Sequence, residues 1–388
     1  LYARNPTYAT ALGLHEYDGR LEDYSRAAVD DEDRAIAGFK KALEAIDPQG
    51  LTQTSRLDRE VLLHSLDSRR IRNDEIRGWA KNPDNYSSGI TGAAFVIISR
   101  DYAPAAERLK SLIAREKAMP AVLQEARRNL DNPPRIYTEI AIDQLDGNQG
   151  FFRTTVVEAF ADVKDPALLA EFKQANDAVI AALGDYKAWL QKDLLPRSNG
   201  SYAWGADVYR RMLMANEMID TPLDVLLAKA EANLKANQAL FAETARKIDP
   251  TKSPLEVLDA LQKDHPKPEN LLAETQAELD SIGRFMTEHH IVTIPPGSPP
   301  AQVKETPPFM RATTSASMDT PGPFEAEGSD AFYSMTLPDP AWSAADQEDF
   351  MRQWYTAMIT NVSVHEVYPG HYVQFLYAKR FPTLVRKV

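Results

Sequence analysis

The stretch HEVYPGH, residues 365–371, is the most informative part of this sequence. A histidine followed directly by glutamate, with a second histidine soon after, is typical of the zinc-binding helix of hydrolases. In that pattern the two imidazoles bind the metal, and the glutamate takes a proton from the attacking water. The stretch therefore predicts that His365 and His371 are zinc ligands and that Glu366 is the catalytic base.

The spacing of the two histidines requires a break in the helix. In the usual H-E-x-x-H pattern the histidines are four residues apart, which brings the rings to within about 40° of each other. Here the separation is six residues, and a straight helix would place His371 about 240° round from His365. Pro369 and Gly370 lie between them and favour such a break. Without it, the pair is a chance match and the Pro-Gly is simply a turn.

The composition of the chain excludes some classes of protein and some kinds of metal site. The chain has 388 residues, 44% hydrophobic and 26% charged, as expected of a globular protein with a large core. Its net charge of −12 argues against nucleic acid as a main partner. There are no cysteines, which excludes disulfides and thiolate ligands. Any zinc must therefore be bound by His, Asp or Glu.

Membrane and targeting signals are sparse in the sequence. The longest strongly apolar run covers residues 92–98, which is too short to cross a bilayer. The chain begins at Leu1 rather than Met, and no charged-then-apolar leader precedes its first helix-like segment. A composition without cysteine is compatible with either the cytoplasm or the periplasm.

Residues 1–290 are predicted to form a helical body. Asp165 before Pro166 has the composition of a helix start, and apolar residues at helical spacing follow it. Residues 102–130 have the same character, and Pro120 is expected to begin a new helix within them.

Residues 291–340 are predicted to form a small β-rich insertion at the edge of the active site. Strands are expected at 291–294, 310–318 and 332–336, with a proline-rich stretch after the first. An exposed strand edge beside a zinc helix can pair with the backbone of a peptide substrate. A purely structural sheet that covers the core is an equally good interpretation.

Residues 341–388 are predicted to hold the motif-bearing helices. The last long helical segment starts at Ser343, and four apolar residues spaced by four form one stripe: Phe350, Trp354, Met358 and Val362. This stripe would direct His365 inward. The predicted fold is mainly α, a large multi-helix domain with a small β-sheet insertion next to the zinc-motif helix. The three segments are expected to form one continuous peptidase-like domain.

The block 363–374, SVHEVYPGHYVQ, resembles the signature of the bacterial domain of unknown function 885 family. Two further segments resemble that family: TALGLH at 10–15, ahead of Tyr17 and Asp18, and AWG at 203–205. The resemblance implies a mainly helical member of the zinc metallopeptidase superfamily. It also implies the metal-ligand and catalytic roles of the motif residues, and a periplasmic, secreted or lipoprotein-anchored location, with the cytoplasm as the alternative.

The resemblance further implies a third metal ligand, a glutamate on a helix some tens of residues after the second histidine. Glu366 is the last acidic residue of the sequence, so that glutamate is expected beyond Val388 and the chain is expected to be truncated at its C-terminus. His289 and His290 are the alternatives within the chain. Catalytic zinc normally takes three protein ligands, and two would bind it weakly.

Three other side chains are candidates for the site. Tyr368 and Tyr372 are close enough in sequence to hydrogen-bond an oxyanion or a second-shell group, although each is also a normal packing residue. Arg311 precedes a Thr/Ser-rich segment and is a candidate for binding a substrate carboxylate, which would favour carboxypeptidase action.

These features favour a zinc-dependent metallopeptidase that acts on peptides. A non-catalytic helical binding or scaffold protein that retains a degenerate metal motif is the alternative from a different class. A zinc hydrolase that acts on a non-peptide amide is compatible with the same residues.

Overall fold

A computed structural model describes residues 2–326 and 329–387, which are mainly helical. The α-helices lie on both sides of a small sheet in the sequence, and they are α1 (Pro6–Ala11), α2 (Arg26–Glu44), α3 (Gln53–Ile71), α4 (Gly78–Lys81), α5 (Asp84–Ile98), α6 (Ala105–Asn129), α7 (Arg135–Arg153), α8 (Thr155–Ala159), α9 (Pro166–Trp189), α10 (Leu195–Arg197), α11 (Ala206–Glu217), α12 (Leu223–Ile248), α13 (Pro254–Leu261), α14 (Leu271–Glu288), α15 (Ala344–Met351), α16 (Thr356–Glu366) and α17 (His371–Ala378). The strands are β1 (Ala301–Glu305), β2 (Ala316–Asp319) and β3 (Ala331–Met335). The predicted mainly α fold with a small sheet is confirmed.

The main core lies between α5, α6, α7 and α9. Helix α6 packs against α5 and α9, and α7 packs against the same two helices. Their facing side chains are almost fully buried, among them Ile90, Leu109, Leu112, Leu145, Phe151, Val179 and Leu183. Burying each of these side chains stabilises the fold by about 1.5–3 kcal/mol, which explains how long amphipathic helices become one stable bundle.

Two predictions about helix ends in this bundle had different outcomes. Helix α9 begins as predicted, because the Asp165 carboxylate accepts hydrogen bonds from two backbone N–H groups of its first turn. The prediction of a new helix at Pro120 is wrong, since α6 runs through it without interruption. Buried residues on both sides of Pro120, such as Met119 and Val122, pack into the same core, and this packing offsets the missing backbone hydrogen bond.

The sheet has the order β1-β3-β2, with β1 parallel and β2 antiparallel to the central strand. Every residue of β3 is buried. The predicted strand at 332–336 coincides with β3 to within one residue. The strand predicted at 291–294 is wrong, and the strand predicted at 310–318 is confined to Ala316–Asp319. Pro308–Met310 is a 3-10 turn, and β1 lies directly after the proline-rich stretch, where no strand was expected.

A second core joins the sheet to α14 and α16. Its fully or nearly buried members come from all of these elements: Leu271, Leu279, Ala331, Tyr333, Met335, Ile359 and Val367. Helix α14 falls within the predicted helical body, but it packs on β1 and α16. The sheet is also attached to the main bundle, because Phe309 inserts its ring between Phe95 and Phe151.

The prediction of one continuous helix that directs His365 inward is wrong, although three residues of the predicted stripe pack against the second core: Phe350, Trp354 and Val362. Helix α15 ends at Met351, a 3-10 turn follows, and Tyr355 is extended before α16 starts afresh at Thr356. This interruption resets the helical register, so that Ile359 and Ser363 face the core and His365 is exposed. In the part of the chain that the structure describes, no helix is both long and apolar enough to cross a membrane.

Candidate metal centre

The helix that carries the motif is broken between the two histidines. Helix α16 ends at Glu366, and Val367 has left helical conformation, with φ −121° and ψ −75°. The Tyr368–Pro369 peptide bond is cis, and α17 begins at His371. His365 and His371 therefore lie on two different helices that meet at residues 367–370.

Gly370 allows the chain to fold back onto the end of α16. A Cβ atom at this position would lie 1.8 Å from the carbonyl oxygen of His365 and 2.5 Å from that of Val364. No side chain fits there, because carbon and oxygen atoms in contact need more than 3 Å. Glycine is thus required by the close approach of two backbone segments, and this approach returns His371 to His365.

The two imidazole rings are brought together by this return. Their centroids are 4.7 Å apart and their planes are at 86°. Two imidazoles bound to one tetrahedral zinc at about 2.0–2.1 Å place their ring centres roughly 5 Å apart. The pair therefore has the separation that a shared zinc ion requires, and both rings are partly open to solvent.

Glu366 lies at the C-terminal end of α16, directly after the first histidine, and is partly buried. The central strand of the sheet lies behind it. Burial is the main cause that raises the pKa of Tyr333 to about 12, and the charge of Glu366 raises it further, while the Ser363 hydroxyl lowers it. Tyr333 is thus a protonated phenol close to the motif carboxylate.

Sequence reasoning missed Tyr333. The strand that carries it was predicted, but all of its residues are buried, so alternation of polar and apolar residues could not show which side faces the motif. Among the residues that the structure describes, neither Tyr333 Oη nor Ser363 Oγ has a hydrogen-bond partner of normal geometry, and both atoms are buried. Two buried hydroxyls beside the motif therefore have unused hydrogen-bonding capacity.

The hydroxyls of Tyr368 and Tyr372 contact the backbone at the start of β1, residues 299–301, rather than the histidine rings. Tyr368 Oη accepts a hydrogen bond from the N–H of Ala301 at 3.3 Å, and its ring packs on Gly283 of α14. Tyr372 Oη donates to the carbonyl of Pro299. Burial raises the pKa of both phenols. Both hydroxyls therefore attach residues 368–372 to the start of β1.

The predicted carboxylate-binding residue has a carboxylate partner within the chain. Arg311 lies after the 3-10 turn and forms an ion pair with Glu305 at the end of β1. This pairing neutralises its charge and does not support the predicted role in substrate binding.

His289 and His290, at the end of α14, do not lie with the paired rings of His365 and His371 (the ring pair). His289 is the C-cap residue of the helix, and its ring lies against that of Phe285 at an angle of 36° with the centroids 4.2 Å apart. Both His289 and His290 are exposed. Within residues 2–326 and 329–387, no group of three or more His, Asp or Glu side chains has the arrangement of a metal site. The His365–His371 pair therefore offers two candidate ligands, whereas a catalytic zinc site takes three protein ligands.

The family model for bacterial proteins of unknown function, DUF885, matches residues 6–388 of this sequence. The chain belongs to the DUF885 family. No curated protein matches the DUF885 chain by sequence.

Two solved structures show the same fold. A protein of Shewanella oneidensis, described as a "putative lipoprotein of unknown function", is 25% identical with a TM-score of 0.73; the match covers 100% of this chain and 71% of that one. A "putative lipoprotein" of Colwellia psychrerythraea is 14% identical with a TM-score of 0.71, and the match covers 97% of this chain and 70% of that one.

Proposed function

We propose that this DUF885 chain is a zinc-dependent metallopeptidase that hydrolyses peptide bonds. The observation that carries the proposal is the pairing of His365 and His371, whose ring centroids lie 4.7 Å apart across a helix break that only glycine permits. A chance match of spacing would not bring the two rings together, since six residues of regular helix would place them on opposite sides.

In this proposal His365 and His371 hold the zinc, which when bound polarises the scissile carbonyl as a Lewis acid. Glu366 is the general base. It takes the proton of the attacking water and transfers it to the leaving amine, so that one water is added across the amide bond. The protonated Tyr333 behind it keeps the local surroundings of this carboxylate polar.

Strand β2 supplies a backbone edge for an extended substrate. Helix α16 packs against β2. The N–H of Thr336 donates to the carbonyl of Ser315, so the backbone groups of alternate β2 residues pair with β3, while those of Ala316 and Met318 point to the outer edge. The Ala316 carbonyl already accepts a hydrogen bond from the Thr314 hydroxyl, so the position proposed for pairing is Met318. A peptide that pairs with this edge would lie next to the motif helix.

The third ligand is proposed to be an acidic residue outside the described residues, since catalytic zinc takes three protein ligands. The resemblance to the DUF885 family indicates that this ligand is a glutamate. We also propose a secreted or lipoprotein-anchored location, which the descriptions of the two structural relatives support.

A non-catalytic scaffold or binding protein is the second candidate. It is favoured by the presence of only two metal-ligand candidates at the ring pair among the described residues. A hydrolase that acts on a non-peptide amide would use the same residues, and a panel of amide substrates separates it from a peptidase.

The test is zinc content and peptide hydrolysis of the full-length protein and its Glu366→Gln variant. We expect about one zinc per chain in both, and a loss of activity of about 10²–10⁴-fold in the variant only. Glu158→Gln, an exposed position on α8, is the matched control and should behave like the wild type. Full activity of Glu366→Gln would refute the mechanism, and a protein without zinc or hydrolysis would favour the scaffold.

A further inference from the structure

One face of α17 lines a cavity that begins next to the ring pair. The cavity has a volume of about 310 Å³. The His371 ring stacks on Phe375 with centroids 6.1 Å apart, and Phe375 forms part of the cavity wall. The cavity is therefore separated from the candidate metal centre by one aromatic ring.

Two cations that directly follow α17, Lys379 and Arg380, line this cavity. Lys379 Nζ donates to the carbonyl of Glu325 at 3.1 Å, and Arg380 Nη2 donates to the carbonyl of Pro296 at 3.0 Å. Both residues that carry these carbonyls, Glu325 and Pro296, also line the cavity. A guanidinium presents five N–H donors in a fork that matches a carboxylate, so one bond to a carbonyl leaves Arg380 able to bind an anion.

The acidic side chain that lines the cavity, Glu325, lies against a histidine. The Glu325 carboxylate lies 3.3 Å from Nε2 of His15, and only 8% of its side chain is exposed. The remaining lining is largely apolar and includes Tyr372, Phe375 and Leu376. A ligand with an anionic group and an apolar side chain suits this combination.

The outer wall of the cavity is fixed by the N-terminal part of the chain. The Phe324 N–H donates to the carbonyl of Leu12 at 2.9 Å. A Cβ atom at Gly13 would lie 2.5 Å from the Glu325 nitrogen, and one at Gly322 would lie 2.3 Å from the Ala11 carbonyl oxygen. The wall thus docks on the N-terminal turn without space for side chains, and the cavity is preformed.

We propose that this cavity binds the carboxyl-terminal end of a peptide substrate, with Arg380 holding the terminal carboxylate. The inference rests on the peptidase function proposed above and specifies its substrate class. Helix α17 rises about 10 Å from His371 to Ala378, and Arg380 lies two residues beyond its end. An extended peptide spans about 3.3–3.6 Å per residue, and helical side chains lean back toward the N-terminus. The enzyme should therefore release dipeptides or tripeptides rather than single amino acids.

The experiment compares N-acetylated pentapeptides with a free carboxylate or a carboxamide at the C-terminus, using full-length protein and mass spectrometry of the products. The free acid should be cleaved at least about tenfold more efficiently, which corresponds to one charged hydrogen bond. Arg380→Ala should raise KM for the free acid by about tenfold and leave the amide unchanged. Arg380→Lys should retain part of the preference, and Lys235→Ala on the exposed α12 is the control.

Binding of the same peptides to Glu366→Gln separates this proposal from the proposed function. Arg380-dependent preference for the free acid in binding supports the cavity, even if no peptide is hydrolysed and the peptidase function fails. Equal binding and equal cleavage of the acid and the amide would overturn the cavity proposal while the peptidase function stands. Release of single amino acids would overturn the stated distance between the scissile bond and the carboxylate.

Discussion

The four-helix core and the motif region are both helical, but different contacts hold them. The core of α5, α6, α7 and α9 is held by many apolar side chains, so that no single atom decides its geometry. The motif region shares the second apolar core, but the return of His371 to His365 depends on single atoms: the missing Cβ of Gly370, and the hydroxyls of Tyr368, Tyr372 and Tyr377 on the backbone of residues 293–301. Changes in the core should therefore alter stability, whereas changes in the motif region should alter the metal site.

The largest expected effect comes from Gly370→Ala. The added Cβ would overlap the His365 carbonyl at 1.8 Å, so the loop must move and separate the two rings. We expect the zinc affinity of the full-length protein to fall by about 10²-fold or more, as for loss of an oriented ligand. A titration against a competing chelator measures this. Gly38→Ala, where a Cβ meets nothing within 4 Å, should bind zinc normally. Unchanged affinity in Gly370→Ala would show that the close approach does not position His371.

The features that depend on local sequence could be predicted, and those that depend on contacts between distant segments could not. Helix starts such as Asp165 and the mainly α fold depend on local patterns and were predicted correctly. The predicted inward orientation of His365 was wrong, because the sequence carries no strong signal for the extended residue Tyr355 between α15 and α16. Tyr333 and the cavity beside α17 could not be predicted, since both depend on packing between segments distant in the sequence.

A large-to-small substitution in the apolar core should have the second-largest effect, and it should change stability alone. Leu183 of α9 is completely buried. Leu183→Ala should reduce the free energy of unfolding by about 2–5 kcal/mol, through lost burial and the cavity left behind. Urea denaturation measures the loss, and zinc affinity of the folded protein should be unchanged. A parallel loss of zinc affinity would contradict the separation between the two regions.

The pH dependence of stability should reveal a buried acid in the core. Glu116 of α6 is fully buried, its carboxylate oxygens have no hydrogen-bond partner in the part of the chain that the structure describes, and burial raises its pKa to about 9. Between its ordinary pKa of 4.5 and about 9, the folded state keeps a proton that the unfolded state has lost. The free energy of unfolding should therefore fall as pH rises through this window, by at most about 1.4 kcal/mol per pH unit.

Glu116→Gln removes this contribution because an amide of the same shape does not ionise. Urea denaturation at several pH values between 5 and 8 should show a shallower decline for the variant than for the wild type. The exposed Glu158→Gln is the control and should retain the slope of the wild type. Parallel slopes in the wild type and Glu116→Gln would mean that Glu116 ionises normally in the folded state.

The smallest expected effect tests how tightly the motif region is positioned. Tyr372→Phe removes the hydrogen bond to Pro299 from a residue that is 1% exposed, and water has little access to replace it. Tyr377→Phe removes an equivalent bond to Thr293 from a residue that is 46% exposed, where water can replace it. We expect a loss of about 1 kcal/mol in the first variant and less than half of that in the second. Urea denaturation of the two variants in parallel measures both losses. Equal losses of unfolding free energy would show that burial of Tyr372 does not strengthen its hydrogen bond to Pro299.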